Sequence, residues 1–158
     1  MRYKIFDDVL PENVFNILKQ QIILLPWDYN NGLVYDNEMS LSNYYFTHEF
    51  FYRHTFKSDY LHILDPILEI LQPKAICRIK ANLYTFTGSF IKHPEHEDTN
   101  FDCKNAIFYM DNSNGYTGIG TEKIQSKENR LAIMERMMHF STNCSDQKFR
   151  ITINFNYF

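Results

Sequence analysis

The hydrophobic pattern changes character near residue 73. Before it, apolar residues return at helical spacing. Val14, Phe15, Ile17, Leu18, Ile22 and Leu25 form one stripe along a helix predicted over 11–25, with Pro11 near its first turn, where a missing N–H is harmless. Tyr60, Leu61, Leu64, Ile67, Leu68 and Leu71 form a second stripe over 58–71, with Ser58 as N-cap and Pro66 predicted to kink the helix or split it in two. A short strand is predicted over 3–6. The stretch 26–52 is rich in Asn, Ser, Tyr and Phe, contains Trp27 and Gly32, and has no sustained period, so it reads as loops with one or two short strands.

After Gln72-Pro73 the period becomes two, and strands are predicted at 75–87, 89–96, 104–111, 116–125, 131–139 and 149–157. Short strands at this spacing, preceded by helices, predict a mainly β chain with flanking helices (α+β), a sandwich or jelly roll with the first helix on the outside of a sheet. No internal repeat, low-complexity tract or linker interrupts the pattern, so 1–158 reads as one domain.

Composition narrows the class. Aromatic residues make up 16% of the chain, with 14 Phe and 11 Tyr, which suits strands and a sheet-lined core. A formal charge of −3 supplies no global field to draw in nucleic acid. Cys77, Cys103 and Cys144 are odd in number and irregular in spacing, which fits neither a disulfide framework nor a zinc knuckle and points to a reducing compartment. The N-terminus has no apolar signal core, and no apolar run approaches the roughly 20 residues of a membrane span. A cytoplasmic protein without membrane contact is expected.

Chemistry concentrates in the last third. In His96-Glu97-Asp98 a strand would place His96 and Asp98 on one face, since alternate residues point the same way. Alone, such a pair is also an ordinary polar turn. His139 is the candidate third ligand, and two imidazoles with one carboxylate leave open positions on a metal, the facial triad of non-haem Fe(II) oxygenases. A zinc hydrolase would use the same three ligands.

Eleven residues after His139, Arg150 opens a run in which Arg150, Thr152 and Asn154 share one face while Ile151, Ile153 and Phe155 share the other. A guanidinium in such a strand needs an anion, and its planar fork suits a carboxylate. A zinc hydrolase leaves Arg150 and Thr152 without a purpose. His93, three residues before His96, falls on the opposite face and is expected at the rim, and His48, His54 and His62 read as surface or packing histidines.

These pieces, taken in order, resemble a known family. Asn82-Leu83-Tyr84, His96-Glu97-Asp98, Ala106 to Asp111, Gly115-Tyr116-Thr117, Asn129-Arg130-Leu131, His139 and Arg150-Ile151-Thr152 are similar, over residues 76–158, to the Fe(II)- and 2-oxoglutarate-dependent oxygenases, most of all to their prolyl-hydroxylase-like branch. The family's usual double glycine is absent, because Asn114 precedes Gly115, and the stretch from Tyr84 to His96 is long.

The resemblance implies a double-stranded β-helix (jelly-roll) core over 75–158, with 1–74 as helical and loop support and N-terminal helices packed on one sheet. It implies Fe(II) held by His96, Asp98 and His139, and O2 and 2-oxoglutarate as cosubstrates, with Arg150 on the far carboxylate and Thr152 adding a hydroxyl. Tyr109 is implied beside Arg150, with Asn82 and Tyr84 nearer the metal end, although one tyrosine alone is enough and the choice stays open. Gly115 is implied to supply a tight turn, and Arg130 reads as an exposed turn residue.

Hydroxylation of a prolyl or related amino-acid or peptide substrate, with release of succinate and CO2, is the implied activity. A nucleic-acid demethylase and an inactive ligand-binding jelly roll are the alternatives. Specificity is expected from residues 27–57 and from the loop after Asp98.

Overall fold

The alternating run that begins at Phe149 becomes the strand on which the others are ordered. The computed structural model describes residues 3–31 and 43–158. In chain order, the N-terminal half supplies β1 (Tyr3–Phe6), α1 (Glu12–Ile23), β2 (Asp28–Asn30), β3 (Tyr45–Tyr52), β4 (Thr55–Phe56), a 3-10 turn (Leu61–Leu64) and α2 (Asp65–Leu71). The second half supplies β5 (Ile76–Thr85), β6 (Lys104–Tyr109), β7 (Tyr116–Ile119), β8 (Glu122–Gln125), β9 (Arg130–Glu135), β10 (Phe140–Ser141) and β11 (Phe149–Tyr157).

Seven strands lie in the order β1-β9-β6-β11-β5-β3-β2, with β4 on β3, and β10-β7-β8 form a second sheet. All pairings are antiparallel. The chain is thus mainly β around a large antiparallel sheet, consistent with a jelly roll.

Strand alternation divides the work between two faces. Ile79 and Ala81 of β5, Ala106 and Phe108 of β6, and Ile151, Ile153 and Phe155 of β11 are buried in one apolar cluster with Phe15, Leu18 and Ile22 of α1 and Ile67 of α2. The Phe15 and Phe108 rings meet edge to face at 6.1 Å. Each large apolar side chain here contributes roughly 1.5–3 kcal/mol when buried. The opposite face of β5 and β11 is left free for polar groups.

Several elements differ from the periodicity. The segment 89–96 forms no regular strand and keeps two isolated bridges, Lys92 to Thr142 and His96 to His139. Pro94 between them has no N–H to give a ladder. The run predicted over 116–125 is a hairpin, turned at Gly120, whose φ of 57° suits glycine. The run over 131–139 stops at Glu135, and the chain crosses to the second sheet, where His139 precedes β10.

Pro66 does split its helix, standing in the first turn of α2 after the 3-10 turn. Ser58 Oγ accepts the Tyr60 N–H at 3.1 Å but caps no helix, since regular structure starts only at Leu61. Residues 32–42, part of the stretch read as loops and assigned to specificity, lie outside the described residues, as does Gly32.

Candidate active site

A cavity of about 150 Å³ opens on the polar face of β5 and β11, with His96, Asp98 and His139 on its wall. His96 and Asp98 are not carried on a strand: His96 sits in the isolated bridge and Asp98 in a bend. The backbone of His96 and His139 exchanges two hydrogen bonds, N–H to O at 2.9 and 3.0 Å, and this closes the two rings to 4.7 Å.

Each imidazole Nδ1 lies near a backbone carbonyl, Pro94 O at 3.1 Å for His96 and Met137 O at 3.0 Å for His139. An Nδ1–H donated there leaves both Nε2 lone pairs for a metal, the usual arrangement of a ligating histidine. The two Nε2 atoms stand 3.8 and 3.7 Å from the Asp98 carboxylate, too far for hydrogen bonds and suited to an ion about 2 Å from each ligand. One ligand atom from each residue falls within 4.8 Å of the others. Burial, reinforced by the His139 ring, pushes the His96 pKa down, which keeps that imidazole neutral and available.

Asp98 is held from behind. Arg78 Nη2 donates to Oδ1 at 2.7 Å, Asn105 Nδ2 to Oδ2 at 2.7 Å and Asn156 Nδ2 to Oδ2 at 3.3 Å. Burial would raise the carboxyl pKa, but Arg78, the imidazoles of His139 and His96 and the Asn156 amide hold it at about 2. A fixed, ionised carboxylate beside two available imidazoles fits a divalent metal in both charge and donor type.

At the other end stands Arg150, fully buried. Its guanidinium donates to Ser126 Oγ and Ser141 Oγ at 2.7 Å, to Thr142 O at 3.1 Å and to Thr117 Oγ1 at 3.3 Å. These acceptors are neutral, and among the described residues no carboxylate pairs with it. The rings of Tyr84 and Tyr109 flank it, each centroid 5.6 Å from Cζ. The Tyr109 hydroxyl donates to Thr117 Oγ1 at 2.9 Å, so Tyr109 and Arg150 Nη2 converge on one acceptor at the cavity wall. Tyr84, Asn82 and Thr152 line the cavity itself, with Thr152 opposite Asn82 on one side and Tyr109 on the other.

His93 is not at the rim. It is buried on the cavity wall, donates its Nδ1–H to Asn43 Oδ1 at 2.8 Å, and packs against Tyr84 and Tyr45 at 5.0 and 5.7 Å between centroids. The strand-offset rule failed because 89–96 is not a regular strand. Burial pulls its pKa down to about 4, with Arg150 and His96 adding to the effect. Arg130, by contrast, lies away from the cavity and pairs with Asp7 at 2.7 Å. His48 is a packing residue, bonded to Pro26 O and Ser58 Oγ at 2.7 Å.

Sequence reasoning missed Arg78, Lys80, Tyr45 and Ser141. The first two were legible in principle: Arg78, Lys80, Asn82 and Tyr84 share one face of β5 by period two. Ser141 and Thr117 depend on how the second sheet folds over, which no local pattern encodes.

No family model matches the chain, and no curated protein is similar to it in sequence. Solved structures are similar in fold. A prolyl hydroxylase from Trichoplax adhaerens, in complex with a hypoxia-inducible-factor oxygen-degradation-domain peptide fragment, superposes with a TM-score of 0.71 at 11% identity, covering 99% of this chain and 83% of that one. The fold is that of the 2-oxoglutarate- and Fe(II)-dependent oxygenases. A Pseudomonas putida prolyl-4-hydroxylase gives a TM-score of 0.60 at 12% identity, covering 99% and 92% of the two chains. The α-ketoglutarate-dependent epimerase SnoN of nogalamycin biosynthesis, which shares this oxygenase fold, gives 0.68 at 10% identity, covering 99% and 77%.

Proposed function

We propose that the protein is an Fe(II)- and 2-oxoglutarate-dependent dioxygenase that hydroxylates a C–H bond of a prolyl or related amino-acid or peptide substrate. The observation that carries this reading is the buried Arg150, which among the described residues has only neutral acceptors and stands directly behind Ser141 and Thr117 on the wall of the cavity that holds His96, Asp98 and His139. A buried guanidinium without a counter-ion is costly, and an incoming dicarboxylate removes that cost. A metal site alone would not need it.

In this reading His96, Asp98 and His139 hold the iron, which when bound supplies the open positions for 2-oxoglutarate and O2. Arg78, Asn105 and Asn156 keep Asp98 ionised and oriented. Arg150 takes the far carboxylate, with Tyr109 released from Thr117 to donate to the same group and Thr152 adjacent. Asn82 lines the cavity between the two ends, whereas Tyr84, expected nearer the metal, stands beside Arg150 as its cross-strand partner. Overall, O2, 2-oxoglutarate and R–H give R–OH, succinate and CO2, one oxygen atom entering each of the hydroxyl and succinate.

The two prolyl-hydroxylase neighbours support a prolyl substrate, while the epimerase neighbour means that fold alone does not fix the reaction. Three free thiols, Cys77, Cys103 and Cys144, support a reducing, cytoplasmic setting. Among the described residues no helix is long and apolar enough to cross a membrane.

The test is succinate formation with Fe(II) and 2-oxoglutarate across free amino acids, prolyl peptides and alkylated oligonucleotides. Stimulation by a prolyl or amino-acid substrate, lost in Arg150→Ala, is expected. Succinate no higher in the native protein than in Arg150→Ala would sink the reading.

A further inference from the structure

The cavity holds one cation to which the proposed chemistry gives no task. Lys80 lies on β5 between Arg78 and Asn82, on the polar face, and lines the cavity together with the three candidate ligands. Its neighbours are otherwise engaged. Arg78 is paired with Asp98 at 2.7 Å, and Glu97, the other acid on the wall, is paired with Arg136 at 3.2 Å.

Glu49 is the cross-strand partner of Lys80, yet among the described residues no carboxylate comes within ion-pair distance of the ammonium, and no protein acceptor takes its protons. Its contact is the Tyr45 ring, 5.9 Å away. Burial, then Arg78, pulls its pKa down to about 8, so the ammonium is still charged at pH 7 and held at a cost. A lysine half-buried in a cavity with three free donors is built to meet an anion.

The ligands of the proposed reaction do not supply that anion. Fe(II) and 2-oxoglutarate carry equal and opposite charge, so together they leave Arg78, Lys80 and Arg150 facing Asp98 alone. Arg150 lies at the other end, on the Tyr84 and Thr117 side, whereas Lys80 stands near Asp98.

We infer that the substrate carries a carboxylate that pairs with Lys80 beside the metal, either the α-carboxylate of a free amino acid or an acidic side chain of a peptide. This rests on the oxygenase reading of the site. Lys80 and the triad share one cavity of about 150 Å³, so the attacked C–H lies within a few bonds of that carboxylate. Lys80 is thereby the residue that selects the substrate.

The test is calorimetry under nitrogen, with Mn(II) in place of Fe(II) and 2-oxoglutarate present, so that nothing turns over. The ligands are matched pairs: free amino acids against their amides, and short peptides bearing Asp or Glu against the same peptides with Asn or Gln. The native protein is expected to bind at least one carboxylate about tenfold or more tightly than its amide, the scale of one charged hydrogen bond. Lys80→Gln should lose that preference, Lys80→Arg should keep part of it, and both should bind Mn(II) and 2-oxoglutarate as the native protein does, which also reports that they are folded. The series that shows the preference identifies the source of the carboxylate.

A preference in neither series, or one that survives Lys80→Gln, overturns the proposal. So does a selective loss of 2-oxoglutarate binding in Lys80→Gln, which would make Lys80 a cosubstrate ligand. A native protein that takes up neither Mn(II) nor 2-oxoglutarate overturns the oxygenase reading itself, before any third ligand is added.

Discussion

A Cβ at Gly115 would run into Cδ of Arg150 and the carbonyl of Asn143. The sequence suggested a tight turn there, but Gly115 is not among the glycines with positive φ, so its role is to let the arginine stem pass. Gly115→Ala should therefore displace Arg150 and weaken 2-oxoglutarate binding by about tenfold or more, the worth of one charged hydrogen bond, while metal uptake stays native. Titration of both ligands into the variant checks this. The two tyrosines beside Arg150 separate in the same way. Because Tyr109 and Arg150 Nη2 already point at one acceptor, Tyr109→Phe should cost more 2-oxoglutarate affinity than Tyr84→Phe, and the reverse order would exchange their roles.

His93 adds a pH dependence at this scale. Its ring takes up a proton near pH 6.5 when unfolded and only near pH 4 when folded, so between those values the unfolded state holds more protons and stability falls as pH falls. The loss is on the order of 2–3 kcal/mol by pH 4. Asp98 acts lower, its contribution being present above pH 3.8 and lost as pH falls toward about 2. Denaturant unfolding of the metal-free protein at a series of pH values should show the first slope, and His93→Gln should make it shallower, with His96, whose pKa burial also lowers, keeping the remainder. An unchanged slope would place His93 in a more solvated setting than its burial indicates.

At the scale of elements, what was legible followed from burial on two distinct faces. β11 and β5 were readable to within a residue or two because alternate side chains are apolar and turn to the core while the others are polar or aromatic, most of them lining the cavity. The stretch 89–96 was not, because its hydrogen bonds go to 139–143 singly and Pro94 interrupts them. The same blindness put His96 and Asp98 on a strand that does not exist, although their closeness to His139 was anticipated. Asn129, which the family resemblance places in the turn before a strand, has a local role there. It adopts φ 58°, a left-handed value that Asn tolerates, and its amide pairs with both backbone groups of Leu10, at 3.0 and 2.8 Å. It ties the start of α1 to the turn before β9, far from any substrate. Asn129→Ala should cost about 2–4 kcal/mol from two lost buried hydrogen bonds and the strained backbone, read as a lower denaturant midpoint. A loss below about 0.5 kcal/mol, the range of an ordinary surface change, would contradict that role.

For the molecule as a whole, the apolar face of the large sheet frees its other face to hold charge at two separated points, the triad at one end and Arg150 at the other. Local pattern supplied each residue, and only the folding of β7 and β10 over that face brings Thr117 and Ser141 to Arg150. The two ends thus bind different things, a metal at the triad and a carboxylate at Arg150. Under nitrogen, Fe(II) and then 2-oxoglutarate titrated into the native protein, His139→Ala and Arg150→Ala separate them most directly. One metal and one 2-oxoglutarate are expected per native chain, metal without tight 2-oxoglutarate in Arg150→Ala, and neither in His139→Ala. Native metal binding in His139→Ala, or native 2-oxoglutarate affinity in Arg150→Ala, would contradict that division.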